Sequence, residues 1–245
     1  MIQTDTYDPS FFEKLRKAEE KHFWFQIRRK WIFDNMRKFI PPPANFLEVG
    51  CGTGNVSSFL SFKGYSVTGC EFYTKAINMA WPGFLRVQGD AKSLPFTDNS
   101  FDIVGLFDVL EHFEDDTIPL KEAIRVVKGG GFIVVTVPAR KELWSWADEM
   151  SLHKRRYSIK KLEHIFLLLE LRPLSIKYMF MFLYVLMKIS RKKNKSRINK
   201  RNDYFKLNRL LNILLKGFFN IERTFSKKFP LPIGTSLIAI AKKNF

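Results

Sequence analysis

The sequence predicts an α/β protein built on a mostly parallel β-sheet, and three observations support this. From Asn45 onward, short apolar runs alternate with stretches of helical spacing. The first of these runs leads into three glycines at alternating positions, Gly50, Gly52 and Gly54. The strongest strand signal is FIVVTV at Phe132–Val137. Strands that alternate with helices favour βαβ units with right-handed crossovers, and therefore a parallel sheet.

The residues before the sheet are predicted to be helical. Apolar residues recur at spacings of three and four over residues 10–40, and Ser10 is a candidate N-cap with Glu13 three residues later. Three consecutive prolines at 41–43 then stop any helix. Residues 1–43 are therefore expected to form a helical cap on a single domain of 245 residues.

Residues 44–182 are predicted to form the core of the domain. Strands are expected at Phe46–Val49, Tyr65–Glu71, Phe84–Gln88, Phe101–Phe107 and Phe132–Val137. Helices are expected at Asn55–Lys63, Thr74–Ala80, Asp116–Lys128 (closed by the glycines at 129–131) and Ser158–Leu169, with Ser158 as the N-cap.

The C-terminal third has a less regular pattern. Leu174–Phe182 is compatible with a strand or with the start of an apolar helix. Residues 183–232 are predicted to form a basic helical insertion that includes a helix at Asn208–Phe225. Residues 233–245 are expected to supply the last strand, at Thr235–Ala241.

The net charge of +17 is unevenly distributed along the chain. Residues 1–150 contain 18 Lys and Arg against 20 Asp and Glu, whereas residues 151–228 contain 21 against 4. Within the second segment, Lys188–Arg201 has eight basic residues and no acidic one, and it follows the apolar run Tyr178–Met187. Together, Tyr178–Arg201 is a candidate for peripheral contact with an anionic membrane. Nucleic acid and a solvated loop are the alternatives.

Composition argues against several classes of protein. The only two cysteines, Cys51 and Cys70, cannot form a disulfide scaffold and suit a reducing compartment. No run reaches the roughly 18 apolar residues of a membrane span, and the polar, acidic N-terminus is unlike a secretory signal. We expect a cytoplasmic protein, with peripheral contact at the inner face of the membrane as an option.

The glycine-rich turn restricts the choice of ligand. The phosphate loop of nucleotide hydrolases needs Lys and Ser/Thr after its last glycine, but Asn55 and Val56 follow Gly54. The dinucleotide fingerprint needs its third glycine at position 55. Glu48, at the end of the first strand, would repel a pyrophosphate and suits a cationic ligand. A sulfonium nucleoside is the remaining candidate.

Residues after the next three strands fit such a nucleoside. Glu71 lies 17 residues after Gly54, where an acid would accept both ribose hydroxyls, and Phe72 could cover the adenine. Further candidates lie after the third and fourth strands: Asp90 and Ala91 for the adenine amino group, and Phe107 and Asp108 for the floor of the site.

Four segments resemble the class I S-adenosylmethionine-dependent methyltransferases: LEVGCGTG, the acid at Glu71, GDAKSLPFTDNSFDIV and DVLEH. The resemblance covers residues 46–138 and is closest to members that modify small molecules and lipid-linked or cell-surface sugars. More weakly, HFWFQIRR at 22–29 and HKRRYS at 153–158 are similar to segments of that family. The resemblance implies a Rossmann-like seven-stranded sheet, helices on both faces and an antiparallel last strand. The N-terminal helices would then form a lid over the site.

The resemblance also implies S-adenosylmethionine as the cofactor, S-adenosylhomocysteine as the product and no metal. The expected cofactor contacts follow the first four strands, with one arginine from the cap: Glu48, Gly50, Cys51, Gly52, Gly54, Asn55, Glu71, Phe72, Asp90, Ala91, Phe107, Asp108 and Arg28. Structural roles are the alternatives: a tight turn for the glycines, a helix cap for Asp90, and small buried residues for Cys51 and Cys70.

Three residues are candidates for catalysis. Asp108 and His112 share one face if their segment is helical, and a neutral His112 could accept the proton of an acceptor hydroxyl. His153, paired with Tyr157, is a second candidate for the same role. The alternatives are a histidine that only bonds the backbone or packs on the cofactor, and a basic helix start that positions an acidic acceptor.

Three functions are consistent with these patterns. The first is methyl transfer to a small-molecule or lipid-linked/sugar acceptor, with oxygen as the expected acceptor atom. The second is a nucleic-acid methyltransferase, although LFDV stands where base-amine enzymes carry an Asp/Asn-Pro-Pro-Tyr-type tetrapeptide. The third is a non-catalytic module that keeps the cofactor pocket and docks on a membrane. The sequence does not identify the acceptor or the oligomeric state.

Overall fold

The computed structural model describes residues 9–193 and 207–245, and within them a seven-stranded sheet forms the centre of the molecule. The strands are β1 (Asn45–Val49), β2 (Ser66–Glu71), β3 (Leu85–Gln88), β4 (Phe101–Phe107), β5 (Val127–Pro138), β6 (Leu171–Met179) and β7 (Ser236–Lys243). Their order is β3-β2-β1-β4-β5-β7-β6. Only β7 runs antiparallel to its neighbours in this sheet. The predicted Rossmann-like α/β fold, with its antiparallel last strand, is confirmed.

The helices account for most of the remaining described chain. They are α1 (Pro9–Lys21), α2 (Phe23–Met36), α3 (Asn55–Phe62), α4 (Thr74–Asn78), α5 (Thr117–Val126), α6 (Trp146–Met150), α7 (Ile159–Leu168), α8 (Met181–Lys193) and α9 (Arg209–Phe225). Leu110–His112 and Lys141–Leu143 form single 3₁₀ turns. In the described residues, no helix is both long enough and apolar enough to cross a bilayer.

The central strands are apolar on both faces because helices cover both sides of the sheet. Ile133, Val134, Val135 and Val137 of β5 are all fully buried. A continuous apolar strand of this kind is typical of a parallel sheet, in which alternation of polar and apolar residues is lost. This is why the run FIVVTV was a clear strand signal.

The start of β5 differs from the prediction. We expected the helix of residues 116–128 to be closed by the glycines at 129–131, but that helix ends at Val126 and the strand begins at Val127. The glycines lie inside β5, opposite a shift of register in β4. A Cβ on Gly131 would come within 2.9 Å of the Asp102 carbonyl oxygen, so the strands approach too closely there for a side chain.

The N-terminal helical segment is two helices and not one. The first begins at Pro9, so Ser10 lies in its first turn and is not the N-cap. The chain breaks at His22, whose extended backbone (ψ 130°) and Nδ1 atom, which accepts the Trp24 N–H at 3.2 Å, cap α2. Apolar spacing alone could not show this break, because the two helices keep similar periodicities on either side.

Other elements fall close to their predicted positions. The Ser158 hydroxyl accepts the Lys161 N–H and caps α7, as predicted. The ambiguous segment 174–182 divides into the end of β6 and the start of α8. Residues 194–201 of the predicted basic segment lie outside the described residues.

Helix α9 connects the C-terminal region to the N-terminal helices. Phe219 is fully buried and stacks on Phe23, with ring centroids 5.2 Å apart. The Asn212 side chain accepts the Phe23 N–H at 2.8 Å and donates to the Lys21 carbonyl at 2.7 Å, so it bridges the break between α1 and α2. The Glu222 carboxylate accepts the first two N–H groups of α8. Helix α9 therefore holds three other helix ends in place: the end of α1 and the starts of α2 and α8.

We expect Phe219→Ala to lower the free energy of unfolding by about 3 kcal/mol or more, because it leaves a cavity between α9, α2 and the end of β6. The adjacent variant Phe218→Ala is the matched control, since Phe218 is 42% exposed, and it should cost less than about 1.5 kcal/mol. Urea denaturation of both variants measures the difference. Equal losses would contradict this account of how α9 is anchored.

Candidate active site

The glycine loop after β1 opens a face of bare backbone toward the carboxyl end of the sheet. Gly50, Gly52 and Gly54 have positive φ angles of 66°, 55° and 76°. A Cβ on Gly50 would lie 2.8 Å from Val109, and one on Gly54 would overlap the Phe84 ring. A Cβ on Gly52 would meet nothing within 4 Å. Gly52 is therefore the position where a ligand can approach the main chain.

Glu71 faces this loop from the end of β2. The Gly52 N–H donates to its Oε2 atom at 2.8 Å, and the Tyr73 N–H donates to its Oε1 atom at 2.9 Å. Glu71 is 7% exposed. Burial raises its pKa, and the backbone hydrogen bonds oppose that rise. Each oxygen keeps acceptor capacity for a ligand hydroxyl.

A cavity of about 470 Å³ lies next to Glu71 and the glycine loop. Seven of the predicted site residues line it: Gly50, Glu71, Phe72, Asp90, Ala91, Asp108 and His112. Phe72 is 46% exposed, which leaves its ring face accessible. The Asp90 Oδ1 atom accepts the Lys92 N–H at 2.9 Å within a turn, and no helix begins there, so Asp90 is not the helix cap that was considered as the alternative.

Several predicted residues lie near this cavity without lining it. Gly52 and Gly54 belong to the loop, and Cys51 and Asn55 are buried behind it. Burial raises the pKa of the Cys51 thiol well above its ordinary value and that of Cys70 to about 12, so both behave as small buried residues. Phe107 is buried at the end of β4.

Glu48 does not face the cavity as we expected. It is 3% exposed, and one of its carboxylate oxygens accepts the Ser57 hydroxyl beneath the loop. Burial raises its pKa to about 8, and the Ser57 hydrogen bond opposes the rise only in part. Near pH 7 this group is mostly protonated, so it cannot supply the negative charge on which its predicted preference for a cationic ligand rested.

Arg28, an expected cofactor contact, pairs with an acid of the site in this structure. Its Nη2 atom lies 2.6 Å from Oδ2 of Asp108 and donates to Thr136 at 3.1 Å. Asp108 itself has a φ of 58° and precedes the 3₁₀ turn that carries His112. The two residues therefore do not share the face of an α-helix, although both reach the cavity.

Helix α1 lies over the glycine loop through a contact that the sequence did not reveal. The buried Glu19 accepts the Thr53 hydroxyl at 2.6 Å and the Trp81 indole N–H at 3.0 Å on the same oxygen. Burial raises the pKa of Glu19, against the effect of these hydrogen bonds. Phe12 and Leu15 of the same helix line the cavity. No periodicity marks Glu19, because its partners lie 34 and 62 residues further along the chain.

A group of titratable side chains borders the opposite end of the cavity. Burial, and to a smaller extent the nearby His153, lower the pKa of His112 to about 4, so His112 is neutral near pH 7 and is a weak base. Glu111 is fully buried, and burial, together with the charge of Asp108, raises its pKa well above the ordinary value. His153 contacts Asp148.

Glu111 was not singled out in the sequence, because the spacing of Asp108 and His112 on either side of it was the pattern that indicated a site. A detectable signal was present: a Glu-His pair follows the fourth strand, and a further histidine follows the fifth. Both positions lie at the carboxyl edge of one parallel sheet, where side chains from neighbouring strands converge.

Comparison with known proteins shows which family this chain resembles. Residues 47–135 match the model of a family described as a methyltransferase domain. A 2-methyl-6-phytyl-1,4-hydroquinone methyltransferase of Synechocystis sp. is 36% identical over 103 residues, which are 39% of this chain and 32% of that protein. A demethylmenaquinone methyltransferase of Corynebacterium kroppenstedtii is 34% identical over 110 residues, or 43% and 47% of the two chains. This chain thus spans less than half of the length of either relative.

A solved structure extends the similarity over almost the whole chain. It is an S-adenosylmethionine-dependent methyltransferase of Thermotoga maritima, with a TM-score of 0.60 and coverage of 96% of both chains. The sequence identity is 17%, so this match supports the fold alone.

Titration of Glu48 predicts a dependence of stability on pH. Its pKa is about 8 in the folded chain, against an ordinary value of 4.5 that applies in the unfolded chain. Between pH 4.5 and pH 8, Glu48 holds a proton in the folded chain but not in the unfolded chain. The contribution of Glu48 to stability is therefore full below pH 4.5 and is lost as the pH rises through 8. Glu48→Gln should remove up to about 1.4 kcal/mol per pH unit of this slope. Urea denaturation at several pH values measures it.

The exposed variant Glu163→Gln is the matched control and should keep the slope of the unmodified chain. An unchanged slope in Glu48→Gln would show that Glu48 is ionised in the folded protein.

Proposed function

We propose that this chain is a class I S-adenosylmethionine-dependent methyltransferase and that it transfers a methyl group from that cofactor to oxygen of a small-molecule or lipid-linked acceptor. One observation carries the proposal: a buried carboxylate, Glu71, is held by the glycine loop beside a cavity of about 470 Å³. An acid at this position suits the two ribose hydroxyls of a nucleoside.

The residues of the site fit this cofactor. Gly52 offers open space above bare backbone, which a nucleoside and its amino-acid chain require. Phe72 presents an exposed ring for the adenine face, and Asp90 and Ala91 lie on the same cavity wall. When bound, the cofactor supplies an electrophilic methyl group on a sulfonium sulfur. The protein's part is to align the acceptor and exclude water.

Asp108 and His112 are the predicted catalytic residues that reach the cavity. The ion pair with Arg28 fixes Asp108, and His112 lies on the cavity wall, where its neutral ring can contact the acceptor. A group with a pKa near 4 removes a proton from a hydroxyl poorly. We therefore assign His112 to holding the acceptor. Proton removal then needs a further group.

The choice of acceptor class is supported by the relatives and by the cavity. The names of the two relatives specify a phytyl hydroquinone and a demethylmenaquinone as the molecules on which those proteins act. The acceptor end of this cavity is lined by Phe113, Val109 and Leu152, which suit an apolar molecule with a hydroxyl group.

Calorimetry with S-adenosylhomocysteine tests the cofactor site. The unmodified chain is expected to bind one equivalent. Glu71→Gln should weaken binding at least about tenfold, because the amide loses charged hydrogen bonds to the ribose and its NH₂ group opposes a loop N–H. Gly52→Arg should abolish binding, because the long side chain fills the open space.

Gly217→Arg is the matched control, since Gly217 also has no atom within 4 Å of a built Cβ and lies on α9, away from the site. It should bind like the unmodified chain. Absence of binding by the unmodified chain, or binding retained in Gly52→Arg, would contradict the proposed site.

We also propose that the protein docks on an anionic membrane surface through α8 and α9. Leu210, Leu214, Phe218, Ile221 and Phe225 recur along α9 at helical spacing, and all are between 42% and 71% exposed. Val185, Leu186 and Ile189 of α8 are exposed as well. We call these eight side chains the α8–α9 face. A continuous exposed apolar stripe of this length is unusual on a protein surface that faces only water.

The basic residues around the α8–α9 face indicate the kind of partner that it binds. Residues 181–229 contain fourteen Lys and Arg against two acidic residues. One of the two, Glu222, is buried and binds the start of α8. Apolar side chains flanked by basic ones suit anionic lipid headgroups over acyl chains. The segment Tyr178–Arg201 that the sequence indicated fits less well at its start, because Tyr178, Met179 and Phe180 are buried in the core.

Flotation with vesicles of phosphatidylcholine and phosphatidylglycerol tests this surface. The unmodified chain should float with anionic vesicles, and less at high salt. The double variant Leu214→Glu with Ile221→Glu should remain at the bottom of the gradient. The matched control is Leu167→Glu with Leu168→Glu, since both leucines are exposed on α7, outside the α8–α9 face, at 60% and 63%. Flotation unchanged by the α9 substitutions, or binding to RNA with a steep salt dependence and none to vesicles, would contradict the proposal.

A further inference from the structure

Three side chains beside the acceptor end of the cavity carry the donor atoms of a metal site. Glu111, His112 and His153 each offer one ligand atom, and these atoms all lie within 4.8 Å of one another. Two residues come from the segment after β4 and one from the segment after β5. We propose that these three residues bind a divalent transition-metal ion.

Glu111 supplies the first argument. Its side chain is fully buried, and neither carboxylate oxygen has a hydrogen-bond partner among the described residues. The guanidinium groups of Arg28 and Arg156 act on it only through their charge, since each is paired with another carboxylate. A buried carboxylate without partners is costly and rare in folded proteins. A cation between Glu111 and the two histidines would satisfy both oxygens.

His153 supplies the second argument, because its outer nitrogen is already oriented. Its Nδ1 atom lies 3.1 Å from Oδ1 of Asp148, and Arg156 holds both oxygens of that carboxylate at 2.8 and 3.0 Å. Nδ1 therefore carries the proton, and the lone pair is on Nε2. That Nε2 atom faces Oε1 of Glu111 at 3.9 Å. A carboxylate behind a histidine is the usual support of a metal-ligating imidazole.

The separations are close to those that ligation requires. Two ligands about 2.1 Å from a tetrahedral ion lie roughly 3.4 Å apart. Glu111 and His153 thus need to approach by about half an ångström. The His112 ring meets the His153 ring edge to face, with centroids 4.9 Å apart, and its ligand atom lies within 4.8 Å of the other two, so it has to approach them by up to about 1.4 Å.

The local charge also favours a cation. Three carboxylates lie together here, those of Asp108, Glu111 and Asp148. Two guanidinium groups oppose them: Arg28 pairs with Asp108, and Arg156 pairs with Asp148. Glu111 is left without a cationic partner in the described structure, apart from the distant contact with His153. Two nitrogens and one carboxylate suit Zn²⁺, Co²⁺, Mn²⁺ or Fe²⁺ better than Mg²⁺ or Ca²⁺, which prefer oxygen ligands.

The position of the site suggests its use. His112 lines the cavity, so an open coordination position on the ion would face an acceptor hydroxyl. A hydroxyl bound to such an ion would be more acidic than a free one, so its proton could pass to solvent water as the hydroxyl oxygen takes up the methyl group. This role in proton removal rests on the proposed methyl transfer, whereas binding of the ion does not.

Spectroscopic titration with Co²⁺ tests the site directly. The full chain, freed of any histidine tag and stripped with EDTA, should bind one equivalent of Co²⁺ with the visible absorption of a low-coordinate ion, and Zn²⁺ should displace it. Glu111→Gln should bind at least about tenfold more weakly. This variant keeps the side-chain shape and removes a buried carboxylate, so it is expected to fold. Co²⁺ should raise the melting temperature of the unmodified chain and not that of Glu111→Gln.

The matched control is the double variant Glu163→Gln with His164→Ala, which alters another adjacent Glu-His pair at an exposed position on α7. It should bind Co²⁺ like the unmodified chain. No binding by the unmodified chain, or equal affinity in Glu111→Gln, would overturn the metal site. S-Adenosylhomocysteine calorimetry on the same samples separates the two proposals, because cofactor binding without Co²⁺ binding refutes only the metal site.

Discussion

The hydrogen bonds between Glu71 and the glycine loop are the interaction on which the site depends. Strands β1 and β2 are parallel and in register, with Val49 opposite Cys70, so the loop and the acid emerge at the same height. The Gly50 and Cys51 N–H groups both donate to the Cys70 carbonyl, which fixes the start of the loop on β2. Glu71 then fixes its middle through Gly52. A loop held in this way is preorganised for a ligand.

The surroundings of the loop are unusually rich in buried acids. Glu19, Glu48 and Glu71 are all nearly inaccessible, and burial raises the pKa of each. Each accepts hydrogen bonds from groups on or next to the loop. The three carboxyl groups therefore hold the loop and the helix that follows it through the Gly52 N–H and the hydroxyl groups of Thr53 and Ser57. Such buried polar networks favour a single geometry, because any other arrangement leaves a polar atom without a partner.

The parts of the structure that were predictable are those with local or periodic signals. The apolar runs of β4 and β5 and the glycine spacing with Glu71 are short-range patterns, so the sheet and the core of the cofactor site followed from them. The break at His22, the Glu19 contact and the Asn212 bridge depend on partners far away in sequence, which periodicity does not report. Glu48 was interpreted with the wrong charge because sequence alone does not show how deeply a carboxyl group is buried.

The Asn212 side chain links helix α9 of the C-terminal region to the two N-terminal helices. One amide group on α9 is bonded to the last residue of α1 and to the first residue of α2. Helix α1 rests on the loop through Glu19 and Thr53, while the opposite side of α9 carries its apolar side chains outward. A tilt of α9 must therefore either move the end of α1 with it or break both hydrogen bonds of Asn212. A force on the outer surface of α9 is thus transmitted to α1, the helix that covers the nucleoside pocket.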